Sequence, residues 1–260
     1  MNIFVLFLLC VVQGLTEFLP VSSSGHLILI EQLFGISDNV MFLNLFLHLA
    51  TLLAVVIVYR ETIWKIIKKP FQPYSYKLFF ATIFTVLMAF IYEFFSVDKY
   101  ITKIYPFGFF LTSILLLLCH IYQKRAIAIN AGEIGYKKSM MVGIVQGVAV
   151  VPGLSRSGST ISSLVLTGVD ETQASMFSFL LSVPIIVGGF FLELLQQKNT
   201  IINFTIANFG VYFMAFLLTF FVSIIALKLT IKLLKKQKFL VFSIYTFLMF
   251  MLTFGLNYVI

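Results

Sequence analysis

Pro152-Gly153-Leu154-Ser155-Arg156-Ser157-Gly158-Ser159-Thr160 is a polar stretch set inside apolar sequence, with Val148-Ala149-Val150-Val151 before it and Ile161, Leu164, Val165 and Leu166 after it. A charged side chain at bilayer depth costs at least ~2.5–3.5 kcal/mol and by default marks a functional position. Pro152 and Gly153 stop a helix, and Gly158 lets backbone approach a ligand closely. The serines then fall at the first turn of a new helix, where free N–H groups and the helix dipole favour an anion. Arg156 adds a planar fork suited to phosphate oxygens. The stretch reads as an anion cradle, phosphate first. The plainer alternative is a serine-rich N-cap with Arg156 paired to a structural carboxylate.

The surrounding chain makes the membrane setting clear. Its 260 residues are 60% hydrophobic and 11% charged, with a mean hydropathy of +1.05, whereas soluble domains are about a quarter charged. We read it as an all-α integral membrane protein, one membrane domain over 1–260. Cys10 and Cys119 both lie in apolar runs, which argues against a disulfide framework or a thiolate metal site. Residues 3–12 follow no basic region and precede no small-residue cleavage site, so they are expected to be retained structure rather than a signal peptide.

Working outward, residues 139–168 are a broken apolar segment around Pro152–Thr160, and residues 3–19 and 26–36 are a second one. The latter is interrupted by Pro20-Val21-Ser22-Ser23-Ser24-Gly25. Each piece is short of the ~20 residues a span needs, so both read as re-entrant helical hairpins with polar tips. Such backbone is tolerated at depth only where it lines a cavity or is buried in protein. Full spans are expected at 40–59, 76–96 and 104–123, then at 172–195, 206–228 and 239–259.

Fourteen of the 18 Lys and Arg residues fall on the loops 60–77, 124–138 and 228–238. The positive-inside rule makes these loops cytoplasmic, which puts both termini on the outer face and makes the surplus charge a topology signal, not a nucleic-acid footprint. A gapless shift of 133 residues pairs Gln13-Gly14 with Gln146-Gly147, Ser22 with Ser155, Ser24-Gly25 with Ser157-Gly158, and Gly35 with Gly168. Each half, approximately 1–123 and 139–260, is then one hairpin plus three transmembrane helices. An odd number of crossings per half makes the repeat inverted and places a polar site at the repeat interface.

Inversion brings the two polar tips face to face. Gln13 and Glu17 stand at i, i+4 on one helix face, where a carboxylate and an amide oxygen can hold a hard divalent cation; an ion pair between Glu17 and Arg156 is the simpler use of the same charges. His26, beside the serine turn, is the group best suited to moving a proton near neutral pH. Ser22 and Ser23 from the first tip and Ser155, Arg156, Ser157 and Thr160 from the second complete the constellation. His48 and His120 lie outside both motifs and are expected to be interhelical hydrogen-bond partners.

The segments Val12-Gln13-Gly14-Leu15-Thr16-Glu17-Phe18-Leu19-Pro20-Val21-Ser22-Ser23-Ser24-Gly25-His26 and Pro152–Thr160 resemble the two signature regions of the bacterial undecaprenyl-diphosphate phosphatases of the bacitracin-resistance type. The resemblance covers essentially the whole chain in length, span count and duplication. It implies hydrolysis of the C55 isoprenoid diphosphate to its monophosphate, which recycles the lipid carrier of cell-wall synthesis in the bacterial plasma membrane. It also implies a divalent cation, Mg2+ or Ca2+, held at Glu17 and Gln13, and a site open to the outer face. Carried over residue by residue, Glu17 would be the metal-linked acid and His26 the base or nucleophile. Ser22 and Ser23 would bind phosphate, with Ser23 or water the other candidate nucleophiles. Arg156, flanked by Ser155, Ser157 and Thr160, would clamp the diphosphate. Gln13 stands where many relatives carry a second glutamate, which implies weaker or more water-mediated cation binding. The implied partners are the polyprenyl diphosphate lipid and the bilayer, with a homodimer left open. The competing reading from the same features is a polyprenyl-lipid flippase or secondary transporter of inverted-repeat architecture.

Overall fold

Proline, glycine and serine punctuate this chain, and its helices start and stop at them. The computed structural model describes residues 2–36, 40–95, 101–129, 132–196 and 198–258, and among these there is no strand. The helices are α1 (Ile3–Thr16), α2 (Ser23–Leu33), α3 (Val40–Val58), α4 (Arg60–Lys68), α5 (Pro73–Phe94), α6 (Ile101–Ile129), α7 (Tyr136–Val148), α8 (Arg156–Leu166), α9 (Glu171–Gln196), α10 (Lys198–Lys235) and α11 (Phe239–Tyr258). Among the described residues five helices, α5, α6, α9, α10 and α11, are long and apolar enough to cross a bilayer, and α3 with α4 makes a sixth if that bent pair is one span. The chain is therefore an all-helical, multi-pass membrane protein. The four helices of the two expected hairpins are too short to cross, at 14, 11, 13 and 11 residues.

Four boundaries differ from the sequence reading, one of them the start of α10 at Lys198 instead of 206. The lysine-rich segment after α3, expected as loop, begins with the helix α4, turned 80° from α3. Helix α6 continues to Ile129, and α10 runs on to Lys235; both carry basic residues that were assigned to loops. Lys and Arg are good helix formers, so the bilayer boundary and the helix boundary need not coincide.

Two ends of the bundle can be told apart. At one, Ser139 Oγ donates to the Lys77 carbonyl, Gln237 Nε2 donates to Glu171 at 2.9 Å, and Gly132 N–H reaches the Gly168 carbonyl at 3.4 Å. These bonds gather the three basic segments together. At the other end Tyr258 donates to the Lys103 carbonyl at 2.7 Å, Asn257 donates to the Thr102 carbonyl, and Phe34 packs edge-on against Phe4.

The starts and ends of α2 and α8, and the close approaches made by α1 and α7, are alike. Ser22 Oγ accepts from Gly25 N–H (3.3 Å) at the start of α2, and Ser155 Oγ accepts from Gly158 N–H (3.0 Å) at the start of α8. Both helices end near glycines of positive φ, Gly35 (60°) and Gly168 (85°). Gly14 of α1 lies against Thr219 and Val222 of α10, and Gly147 of α7 against Thr85 and Met88 of α5. The core is phenylalanine-rich around the second tip, with Phe18, Phe177, Phe179 and Phe239 all fully buried. A second cluster joins α1, α2, α3 and α10 through Leu9, Leu27, Leu47 and Ala215.

Candidate active site

Helix α6 builds the floor under the second polar tip. Gly153 has φ +83°, and a Cβ there would sit 1.8 Å from the Tyr105 carbonyl oxygen. The turn therefore lies flat on α6, as only glycine permits. Thr112 Oγ1 accepts the Ser155 N–H at 2.9 Å and itself donates to the Gly108 carbonyl. Ser155 thus starts α8 from a fixed backbone position and leaves Arg156 on the first helical turn.

The first tip meets this turn directly. Ser157 Oγ donates to the Leu19 carbonyl at 3.1 Å, and Arg156 Nη2 donates to Glu17 Oε1. Glu17 caps α1, with its N–H on the Gln13 carbonyl at 3.1 Å. Its other oxygen, Oε2, accepts from Ser23 Oγ (2.7 Å) and Gln13 Nε2 (3.1 Å). His48 Nε2, from α3, stands 3.6 Å from the same oxygen. Glu17, Ser22, Ser155, Ser157 and Thr160 are all buried. Burial of a carboxylate is tolerated only with partners of this kind; residues from opposite halves of the chain supply them.

These groups share one cavity of about 200 Å³, lined on its polar side by Glu17, Ser22, Ser23, His48, Ser155, Arg156 and Ser157 and on its apolar side by Ala149, Val150, Ile185 and Ile186. The expected meeting of Glu17, Ser22 and Ser23 with Ser155, Arg156 and Ser157 is present. Three expected members are not on the cavity wall: Gln13, buried and tied to the site through its hydrogen bond to Glu17, Thr160 and His26. Thr160 lies one turn along α8, with its hydroxyl on the Arg156 carbonyl (2.8 Å) and the Ser178 hydroxyl (2.6 Å), where it supports Arg156 from behind. His26 does not line the cavity. Its Nδ1 is 2.7 Å from the Ser22 carbonyl and its Nε2 2.7 Å from the Tyr245 hydroxyl, and its ring stacks on Tyr245 and meets Phe109 edge-on. A carbonyl can only accept, so Nδ1 carries the proton, and in the neutral ring Nε2 accepts from Tyr245.

Ser22 is held at φ 67°, a conformation costly for a non-glycine residue. Its carbonyl takes the His26 ring N–H and its hydroxyl takes the Gly25 N–H. These bonds hold the strained turn and aim Ser23 at Glu17.

Three buried atoms on or beside the cavity are left without partners: Arg156 Nη1, Gln146 Oε1 and Gln13 Oε1. A buried unpaired guanidinium N–H is expensive, and an anionic oxygen in the cavity would satisfy it. For a cation the donors are sparse. Among the described residues no group of three His, Cys, Asp or Glu side chains forms a metal site. Glu17 is the one carboxylate among the cavity-lining residues, and Gln13 Oε1 is buried without a partner nearby. With Glu17 the one carboxylate on the wall, a hard divalent ion here would have to take most of its ligands from water and a bound phosphate, not from a protein-built cage.

Thr85 and Ser182 drew no expectation from the sequence, and His48 and Gln146 none as site residues, yet all four are on the cavity wall. A signal for His48 exists: Asn44, His48 and Thr51 recur at i, i+4, i+7 and make a polar stripe on an apolar span. Its Nδ1 lies 2.6 Å from the Asn44 carbonyl, a bond within its own helix where an interhelical one was expected, and it is also a cavity residue. Gln146 pairs with Gln13 in the 133-residue shift of the sequence.

Comparison with known proteins bears on the same residues. The chain is 34% identical to an undecaprenyl-diphosphatase of Carboxydothermus hydrogenoformans, over 96% of this chain and 95% of that one. It is 37% identical to the undecaprenyl-diphosphatase of Halothermothrix orenii, over 77% and 78% of the two chains. Against the undecaprenyl-diphosphatase of Borrelia recurrentis it is 34% identical, over 94% and 95%. A family model described as bacitracin resistance protein BacA matches residues 6–252, a range that holds both polar tips and every cavity residue named above, and the chain belongs to that family.

Proposed function

We propose that this chain hydrolyses undecaprenyl diphosphate to undecaprenyl phosphate and inorganic phosphate. The observation that carries the reading is the cavity in which Glu17 and Ser23 meet Arg156, whose Nη1 is buried without a partner. In the proposed sequence a diphosphate enters and draws Arg156 from Glu17, giving the guanidinium two anionic oxygens and freeing Glu17 as a base. Ser23, already donating to Glu17, is the nucleophile this geometry favours. Its oxygen bonds to the terminal phosphorus as the bond to the bridging oxygen breaks, its proton passes to Glu17, and lipid monophosphate leaves. Water then cleaves the phosphoserine. Phosphoryl transfer depends chiefly on positioning and charge stabilisation, which Arg156, the α8 N-terminus, Ser155 and Ser157 supply. A divalent cation, Mg2+ or Ca2+, held by Glu17 and Gln13, would neutralise further phosphate charge. His26 positions the Ser22–Ser23 turn, and service as base or nucleophile requires that it leave Tyr245.

The cavity is too small for a whole polyprenyl lipid. Its apolar wall at Ala149, Val150, Ile185 and Ile186 gives the first isoprene units a path toward the lipid-facing helices. We further infer that 1–123 and 139–260 are inverted repeats in one membrane domain. The paired N-caps, the paired glycine contacts and the return of each hairpin to a different end of the bundle support it. The basic end is assigned to the cytoplasm of a bacterial plasma membrane, with both termini and the mouth of the site on the outer side.

The test is phosphate release from a polyprenyl diphosphate by purified protein in detergent. Wild type is expected to turn over and to lose activity on chelation, and Glu17→Ala or Arg156→Ala to lose about a hundredfold or more. Undiminished turnover in both variants would overturn the reading. Lipid flux persisting in hydrolysis-dead protein would favour a transporter.

A further inference from the structure

Helix α4 is the described helix with no buried residue. It leaves α3 at 80°, so when α3 crosses a bilayer α4 lies close to the membrane plane. On a 3.6-residue period Ile63, Trp64, Ile66 and Ile67 share one arc, and Glu61, Thr62, Lys65 and Lys68 share the other. Trp64 is 57% exposed, Ile67 61%, and Phe71 just beyond the helix 82%. Lys68 Nζ lies 5.1 Å over the Trp64 ring, holding a cation at the border of the two arcs. A short helix with an aromatic apolar face and a lysine face is the design of an element seated at the lipid–water boundary.

Charge identifies the lipid. Arg60, Lys65, Lys68 and Lys69 outnumber the single carboxylate Glu61. At the bend a groove opens between α4 and α10, lined by Tyr59, Arg60, Glu61, Thr62, Ile224 and Lys228. Its two cations, from different helices, flank a space with an apolar inner wall at Ile224. The other basic segments gather at the same end of the bundle, so repulsion there is relieved by anionic headgroups more than by zwitterionic ones.

We propose that α4, with Arg60 and Lys228, is a binding site for anionic phospholipid headgroups at the membrane surface, separate from the cavity between the hairpins. Its occupant is a bilayer glycerophospholipid of net negative charge. The site does not depend on the chemistry assigned to Glu17 and Arg156.

Trp64 is the one tryptophan in the chain, so selective excitation reports on α4 alone. The full chain is reconstituted in phosphatidylcholine vesicles containing phosphatidylglycerol, with bromine placed on the acyl chains of one lipid or the other at equal mole fraction. Trp64 is expected to be quenched by both. The brominated phosphatidylglycerol should show the larger relative association constant, by about fivefold for each cation engaged. The triple variant Lys65→Gln, Lys68→Gln, Lys69→Gln should bring the ratio down toward one, and the corresponding Lys→Arg triple should keep it. Arg60→Gln with Lys228→Gln should lower it in part. All of these residues are exposed, so retention of diphosphatase activity in phosphatidylcholine checks that each variant is folded.

Equal quenching by the two lipids in wild type, or a ratio unchanged in the glutamine triple, would overturn the proposal. So would quenching of Trp64 by aqueous acrylamide but by neither lipid. Excess inorganic phosphate should leave the ratio unchanged; its abolition by phosphate would mean that the site takes the free anion, and the lipid proposal would fall.

Discussion

Arg156 and His26 show how a buried polar group reveals its task by what it lacks. Arg156 uses one nitrogen on Glu17 and leaves Nη1 buried and unpaired, which is the mark of a site awaiting an anion. His26 has both ring nitrogens engaged, by Ser22 and Tyr245, which is the mark of a brace. The brace makes a prediction. Tyr245→Phe keeps the stacked ring but deletes one hydrogen bond, a loss of about 0.5–1.5 kcal/mol. Turnover should fall by up to about tenfold with an unaltered pH profile, and His26→Ala should cost more, because the strained Ser22 turn loses its tie. Steady-state kinetics of the two variants decide the matter; faster turnover in Tyr245→Phe would show that freeing Nε2 makes His26 the base. The serine–arginine tip, the Gln13–Glu17 pair and the ion pair could be read from residue types and spacing alone, because helical i, i+4 geometry and helix starts are local. Which side of a helix faces a cavity is not local. The spacing could not show that His26 turns toward α11, nor that His48 faces Glu17.

At the scale of the element, the placing of the second tip is a packing problem solved by α6. A Cβ on Gly108 would lie 2.3 Å from Leu154 N and 2.5 Å from the Pro152 oxygen, atoms that cannot yield without moving the turn. Gly108→Ala is therefore expected to cost about 1–3 kcal/mol from overpacking and to displace Ser155 and Arg156. Thermal unfolding in detergent and phosphate release should both fall. Gly189→Ala on α9, where an added methyl meets nothing within 4 Å, is the matched control and should leave both unchanged or slightly raise stability. Equal behaviour of the two variants would remove α6 as the support of the site. Element existence was readable wherever apolar runs were bounded by Pro, Gly or Ser, which is why the four short helices and most of the long ones stand close to their expected places. Helix α4 was not, since its lysines matched the expectation for a cytoplasmic loop. Its apolar arc of Ile63, Trp64, Ile66 and Ile67 was the overlooked sign.

At the scale of the whole molecule, the distribution of charge and the duplication of the tips argue for one arrangement from independent directions. Three basic segments separated by many residues converge on one end of the bundle, joined there by the Ser139–Lys77 and Gln237–Glu171 hydrogen bonds. Helices α1 and α2 return to the opposite end, where Phe4 meets Phe34, whereas α7 and α8 return to the basic end. Under the proposed orientation, with Lys and Arg on the cytoplasmic side, the first pair of short helices would enter from outside and the second from within. Cys10 and Cys119 are buried, so single introduced cysteines can be read against a low background. In spheroplasts, a membrane-impermeant maleimide should label Phe34→Cys without lysis and Lys236→Cys only after it. Phe34 and Lys236 are both exposed, so a difference in labelling reports sidedness and not burial. Labelling of both residues in intact spheroplasts would separate the charge pattern from the topology. It would also remove the basis for assigning the mouth of the cavity to the outer face, because the meeting of Glu17 with Arg156 between the two tips does not by itself tell one side of the bilayer from the other.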